Sequence, residues 1–370
     1  MNESDRADTA VSGPLRGVRI LEFAGLGPVP FAGMLLSDMG ADVVRIERGD
    51  IGSLDPLDVT ARGRRFVAVD LKQPKGVEQA RRLAQCSDVL LEGFRPGVME
   101  RLGLGPEPLR AINRRLVYAR MTGWGQNGAL AQAVGHDINY IAIAGALGAI
   151  GLADRPVPPL NLVGDYGGGA LYLVVGVLAA LLEARRSGEG QVVDCAMVDG
   201  VASLLSLFQG WLNAQQWQDK REANLLDGAA PFYTTYACRD GRHIAVGAIE
   251  PRFYARLCEL TGFSDPESDD QHDRGRWPWR REALARIFAS RTRDDWCRLL
   301  EGTEACVSPV LDLAEAPAHP HLADRATFVS VDGRLQAAPA PRFLRTPSAV
   351  QGPPPSSPVP VSAVIRDWSI

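Results

Sequence analysis

A chain of 370 residues is longer than one ordinary hydrophobic core supports, which points to two domains. With 46% apolar and 23% charged residues and a net charge of −4, it has a globular composition and no electrostatic reason to bind nucleic acid or an anionic membrane. The opening MNESDRADTAVSG lacks the apolar run of a secretory signal and the chain does not close on SKL, so a cytoplasmic location is expected.

Residues 18–22 (VRILE) read as a short buried strand, FAGLGPVP as a Gly/Pro turn, FAGMLLSDM as a helix and ADVVRIE as a second strand. The alternation continues with a strand over 66–70, a helix over 75–85, a strand over 88–92, a short helix after Pro106 and a strand over 116–121. Strands separated by helices of this length predict a parallel, doubly wound, Rossmann-like sheet.

Beyond an apolar, Ala/Gly-rich stretch at 138–150, residues 170–186 read as a long helix preceded by Gly167, Gly168 and Gly169. Its uncharged run, 170–182, falls short of the ~20 residues that cross a bilayer, so a buried helix is expected. A strand over 191–195 then leads into a helical pattern over 198–217.

Near 218–231 the pattern breaks into charge and turn residues, followed by FYTTYACRDGRHIAVGAI, two strand-like runs about an RDGR turn. PRFYARLCELTG and REALARIFAS read as helices of the same smaller α+β domain, which CVSPVLDLAEA closes. The expected organisation is a large α/β domain over 13–217, a small α+β domain over 225–320, and a Pro-rich, extended segment over 321–370 returning to the large domain.

Cys86, Cys195, Cys238, Cys258, Cys297 and Cys306 form no C-x-x-C pair and have no His at ligand spacing, so neither a metal site nor a disulfide framework is expected. The first turn, GLGPVP, places Pro28 and Pro30 where a dinucleotide-binding G-x-G-x-x-G needs close helix approach, so NAD and FAD are not expected. No P-loop occurs, and the lysines are only Lys72, Lys75 and Lys220, which makes nucleotide hydrolysis a poor match.

Candidate chemistry rests on few residues. His136, followed by Asp137 at the mouth of an apolar run, reads as readily as a packed histidine as a functional one. Asp165 in NLVGDYGGGALY stands at the expected helix N-terminus, either as a plain N-cap or in a turn whose glycines bring backbone N–H groups to a ligand. Glu250 in AIEP puts a carboxylate at a strand end, and spacing alone does not favour a function for it. Arg48, Arg95 and Arg101 follow expected strands, where parallel sheets bind ligands, and together suit a phosphate-bearing one.

The blocks GADVVRIER, VDLKQPKG, SDVLLEGFRPGVMERLGLGP, YARMTGWGQNG, GHDINYIAI, PPLNLVGDYGGGALY, GQVVDCAMVDG, LDGAAPFYTTY, AVGAIEPRFY and ACVSPVL occur in this order. In them the chain resembles the α-methylacyl-CoA racemases, within the wider family III (formyl-CoA transferase-like) CoA-transferases, over about residues 13–347. The resemblance implies the family III CoA-transferase fold, an interlocked homodimer in which one subunit's large domain meets the other's small domain, and no cofactor beyond the CoA that the substrate carries. It implies His136 and Asp165 as the catalytic acid/base pair, with Glu250 assisting across the dimer interface. It also implies CoA contacts at Arg48; at Val69, Asp70, Leu71 and Lys72; at Gly93, Phe94 and Arg95; at Arg101; and at Gly135, Asp137, Ile138, Asn139 and Tyr140.

The expected reaction is inversion at the α-carbon of a 2-methylacyl-CoA thioester through an enolate. Neutral His136 takes the proton on one face and protonated Asp165, its pKa raised by burial or a negative neighbour, returns one on the other. Backbone N–H groups near Asp137 or the Gly167–Gly169 turn are the candidate enolate donors. Two alternatives stand beside it: a family III CoA-transferase using Asp165 as nucleophile, and a non-catalytic acyl-CoA-binding protein.

Overall fold

The computed structural model describes residues 12–49 and 54–369. They fall into two compact units, the first made of the described residues up to Ala144, Leu160–Leu205 and those from Ala323 onward, the second of Gly145–Pro159 and Ser206–Leu322.

In the first unit β1 (Arg19–Phe23), β2 (Asp42–Glu47), β3 (Arg65–Ala68), β4 (Val89–Glu92), β5 (Val117–Thr122) and β6 (Val192–Ala196) form one sheet. Every pairing is parallel and the order is β3-β2-β1-β4-β5-β6, which bears out the doubly wound expectation. Alternation along the strands splits the core in two. Ile20, Val43, Val89 and Val117 face α1 (Pro28–Asp38) and the helix carrying Leu173 and Val177. Leu21, Val44, Leu90 and Tyr118 face Ala80, Leu83 and Ala84 of α2 (Pro74–Gln85). Covering on both faces is why these strands read as continuous apolar runs.

A charged pair lies inside this core. Arg64 Nε donates to Glu22 Oε2 at 2.7 Å with both side chains fully buried, and the guanidinium also donates to the carbonyls of Pro30 and Thr60. Gly33 lies against the pair, where a methyl group would come within 2.3 Å of Glu22 Oε2.

The glycines expected as a turn ahead of a helix at 170 are themselves helical. Leu162–Ala170 forms widened turns closed by i→i+5 bonds and runs straight into Leu171–Ser187. The glycines serve helix contact: a methyl on Gly200 would lie 1.9 Å from the Gly168 carbonyl oxygen, and one on Gly168 would lie 2.7 Å from Val201 Cγ2. The resulting helix, Leu162–Ser187, is 26 residues and by length and composition long enough to cross a bilayer, rather than shorter as its uncharged run suggested. Half of its most apolar window is buried within the protein. The 198–217 pattern is two helices, Met197–Leu204 and Ser206–Asn213, and the division between units falls at their junction.

The C-terminal segment is Pro-rich as read, but it closes in an unexpected helix, Val361–Trp368, that buries Val364 and Trp368 in the core cluster containing α2. Trp368 Nε1 donates to Asp42 Oδ2 at 2.7 Å.

The second unit has an antiparallel sheet of Tyr233–Ala237, His243–Gly247 and Val307–Pro309, the first two joined by the expected turn. Phe232, Ile244, Leu257, Phe288 and Trp296 fill its core beneath the helices Pro251–Thr261, Trp277–Phe288 and Arg293–Leu300.

Candidate active site

The strand order reverses between β1 and β4, and in such sheets the crevice beyond the carboxyl ends of the strands at this point receives ligands. A cleft of about 440 Å³ lies there, built from the turn after β1 (Leu26–Val29), the turn after β4 (Gly93–Pro96), and the segments after β5 that carry Gly123, Trp124, Gly135 and His136. Asp165 and Tyr140 complete its wall.

His136 precedes the helix Asp137–Ile143, its side chain exposed and its backbone N–H bonded to Asn139 Oδ1 at 3.0 Å. Tyr140 ties this turn down, donating its hydroxyl to the Gly135 carbonyl and packing edge-on to Trp124 with ring centroids 4.7 Å apart. Its ring lies so close to Gly123 that a methyl there would come within 2.1 Å, so only glycine fits.

Asp165 is half-buried, and its Oδ2 accepts from Asn161 Nδ2 at 3.3 Å. Desolvation pushes its carboxyl above the usual aspartate range; the Asn161 bond opposes this, the neighbouring Asp137 adds to it and His136 offsets it. Burial also raises the Tyr140 phenol, with Asp165 adding and Arg95 opposing.

Of the residues expected to contact ligand, Gly93, Phe94, Arg95, Gly135 and Tyr140 join His136 and Asp165 on the cleft wall. Asp137, Ile138 and Asn139 do not line it; Asp137 is buried, with Oδ1 accepting the Asp165 backbone N–H at 2.7 Å. Arg48 after β2, Asp70, Leu71 and Lys72 after β3, and Arg101 ending the helix Val98–Arg101 lie off the cleft, though beyond the same edge of the sheet. Val69 is a buried core residue. Glu250 belongs to the second unit, exposed at the N-cap of Pro251–Thr261.

Sequence reasoning missed Glu92. Fully buried at the end of β4, it accepts the Phe94 N–H at 2.8 Å and the Arg120 Nε at 2.8 Å, fixing the Gly93–Arg95 turn. The signal was a lone carboxylate closing the apolar run VLLE. Among the described residues no group of three or more His, Cys, Asp or Glu is placed to hold a metal ion.

Residues 15–359 match CoA-transferase family III. The chain belongs to this family. It is 48% identical to the α-methylacyl-CoA racemase of Mus musculus and 44% identical to that of Homo sapiens, in each case over 90% of this chain and 87% of the relative. The crystal structure of a CAIB/BAIF family protein from Brucella suis superposes with a TM-score of 0.79 at 25% identity, covering 96% of this chain and all of the other. The family III fold read from the sequence blocks therefore stands.

Proposed function

We propose that this family III chain is a 2-methylacyl-CoA epimerase, interconverting (R)- and (S)-thioesters by 1,1-proton transfer. The observation that carries the reading is that His136 and Asp165, from separate segments, meet on one cleft, with burial raising the Asp165 carboxyl. The identity of 48% and 44% to two racemases supports the same substrate class.

In this mechanism neutral His136 removes the α-proton from one epimer, leaving an enolate and an imidazolium. Protonated Asp165 delivers its proton to the opposite face and becomes a carboxylate, and the reverse reaction exchanges the roles. The burial that raises Asp165 keeps it a proton donor nearer to neutral pH. The enolate oxygen needs preorganised donors, each worth roughly 2.7–4 kcal/mol at comparable sites. Of the candidate donors, the amide of Asp137 directly follows His136 at a helix start while those of Gly167–Gly169 lie within a helix, so the first serves in this reading.

CoA would run along the carboxyl edge of the sheet toward Arg48, Lys72 and Arg101, and Glu250 would assist the acid/base pair. Assembly as a homodimer is part of the proposal; the exposed Leu171, Val175 and Leu182 on the long helix are apolar surface suited to burial against a second copy. No cofactor beyond the substrate's CoA and a cytoplasmic setting complete it. A nucleophilic Asp165, as CoA transfer requires, would have to ionise against the same burial.

Incubation with one 2-methylacyl-CoA epimer in heavy water tests this reading. Expected are α-deuterium and the opposite epimer without any carboxylate acceptor, with His136→Ala and Asp165→Asn each lowering kcat by about 10²–10⁴-fold. No exchange, together with acceptor-dependent CoA transfer or hydroxylamine trapping of Asp165, would replace it with the transferase reading.

A further inference from the structure

Asp137 was expected to touch the ligand, yet its carboxylate is turned inward, 8% exposed, and does not reach the cleft wall. Oδ1 accepts the Asp165 N–H at 2.7 Å and sits over Gly164, where an added methyl would come within 2.3 Å of it. Oδ2 is buried and has no hydrogen-bond partner among the described residues. A purely structural acceptor for one amide is cheaper as Asn or Ser, because an orphaned carboxylate oxygen carries an uncompensated desolvation cost. Such a cost in a family III cleft asks for a use.

We propose, resting on the epimerase reading above, that Asp137 is a positioning residue: its buried carboxylate clamps the Asp165 backbone and places a negative charge behind the Asp165 side chain. The clamp spans the two segments that bear the acid/base pair. Asp137 directly follows His136 and opens one helix, while Asp165 sits in the widened turns of another, so a single hydrogen bond fixes their spacing. Widened turns are less well determined than α-helix, and a bond made only at that point sets where Asp165 emerges.

The charge has little competition. Among the described residues, the titratable groups that act most on Asp165 are Asp137 and His136. Tyr140 lies within its field, and Arg95 enters through Tyr140. From the turn before α1 the near neighbour of Asp165 is Gly27; α1 and Met197–Leu204 meet the same widened turns further on, Pro28 at Gly169 and Gly200 and Val201 at Gly168, with Asp199 acting on Asp194 and Cys195 instead. Asp137 is thus the anionic neighbour that reinforces burial in holding the Asp165 proton.

Two measurements on the full chain test this. The first is a carbon NMR titration of the Asp165 carboxyl in the wild type and in Asp137→Asn, which keeps the amide acceptor and removes the charge. The Asp165 midpoint should fall in the variant; an unchanged midpoint overturns the proposal whatever the catalytic result. The second is the pH dependence of epimerisation. Asp137→Asn should move the alkaline limb to lower pH for the epimer whose proton His136 removes, and Asp137→Ala should lower kcat about 10²-fold with KM within about twofold. Wild-type profiles in both variants, or a change confined to KM, overturn it. A wild-type chain that exchanges no α-proton instead overturns the epimerase reading, and the NMR titration still judges the charge placed behind Asp165.

Discussion

Gly27 leaves room for Asp165 on the cleft wall: a methyl group on Gly27 would lie 3.0 Å from Asp165 Oδ2. Gly27 also has φ +70, backbone that side chains rarely adopt. Gly27→Ala is therefore expected to cost about 1–3 kcal/mol of stability through the backbone. It should also lower kcat beyond what that loss explains, because Asp165 must shift. Thermal denaturation and kcat measured side by side check this; a variant destabilised but fully active at a temperature where it is folded would contradict it.

Asp165 should weaken the protein it serves. Its carboxyl is raised in the folded state, so below the ordinary aspartate value of about 3.9 it is protonated whether folded or unfolded and contributes nothing. As pH rises above that, the unfolded carboxyl ionises freely while the folded one resists, and stability is lost through the folded value. Asp165→Asn is accordingly expected to be catalytically impaired yet at least as stable as the wild type at neutral pH, the advantage fading on acidification toward pH 4. Denaturant titrations at several pH values give the comparison, and a variant less stable at pH 7 would refute the sign.

Breaking the Glu22–Arg64 pair from one side leaves a charge buried alone. Arg64→Met is expected to destabilise the first unit by about 3–5 kcal/mol, and the double variant Glu22→Gln/Arg64→Met by less than the sum of the two single changes. Equal, additive losses in denaturant unfolding would show the pair to be uncoupled.

The terminal helix makes a separate prediction. Trp368 is 2% exposed and bonded to Asp42, so Trp368→Ala should cost about 3–5 kcal/mol by removing an aromatic ring from the core. A melting temperature unmoved by the change would mean that the helix does not dock as described.

The parallel sheet was legible because VRILE, VVRIE and VLLE are apolar on both faces, the mark of strands covered on both sides. Helix starts were less so. Gly167–Gly169 read as a turn because glycine weakens helices, but their small size is what lets a second helix press against the first, a tertiary demand that local propensity does not register. Val361–Trp368 was hidden behind prolines whose influence ends at Pro360, the N-cap residue just before the helix. At the site, the residue types at 136 and 165 were visible, whereas the inward turn of Asp137 and the anchoring by Glu92 depend on backbone crossings between distant segments.

The helix that begins at the switch point opens with Pro28, Val29 and Pro30, so of its first three residues only Val29 owns an amide hydrogen. A nucleotide-binding sheet of this order greets a pyrophosphate with several such hydrogens; here that welcome has been withdrawn, and the crevice is left close to electrically silent at its α1 wall. On the proposed epimerase reading, a polyphosphate would be held farther out by side-chain cations, leaving the centre for a carbon acid and the groups that trade its proton.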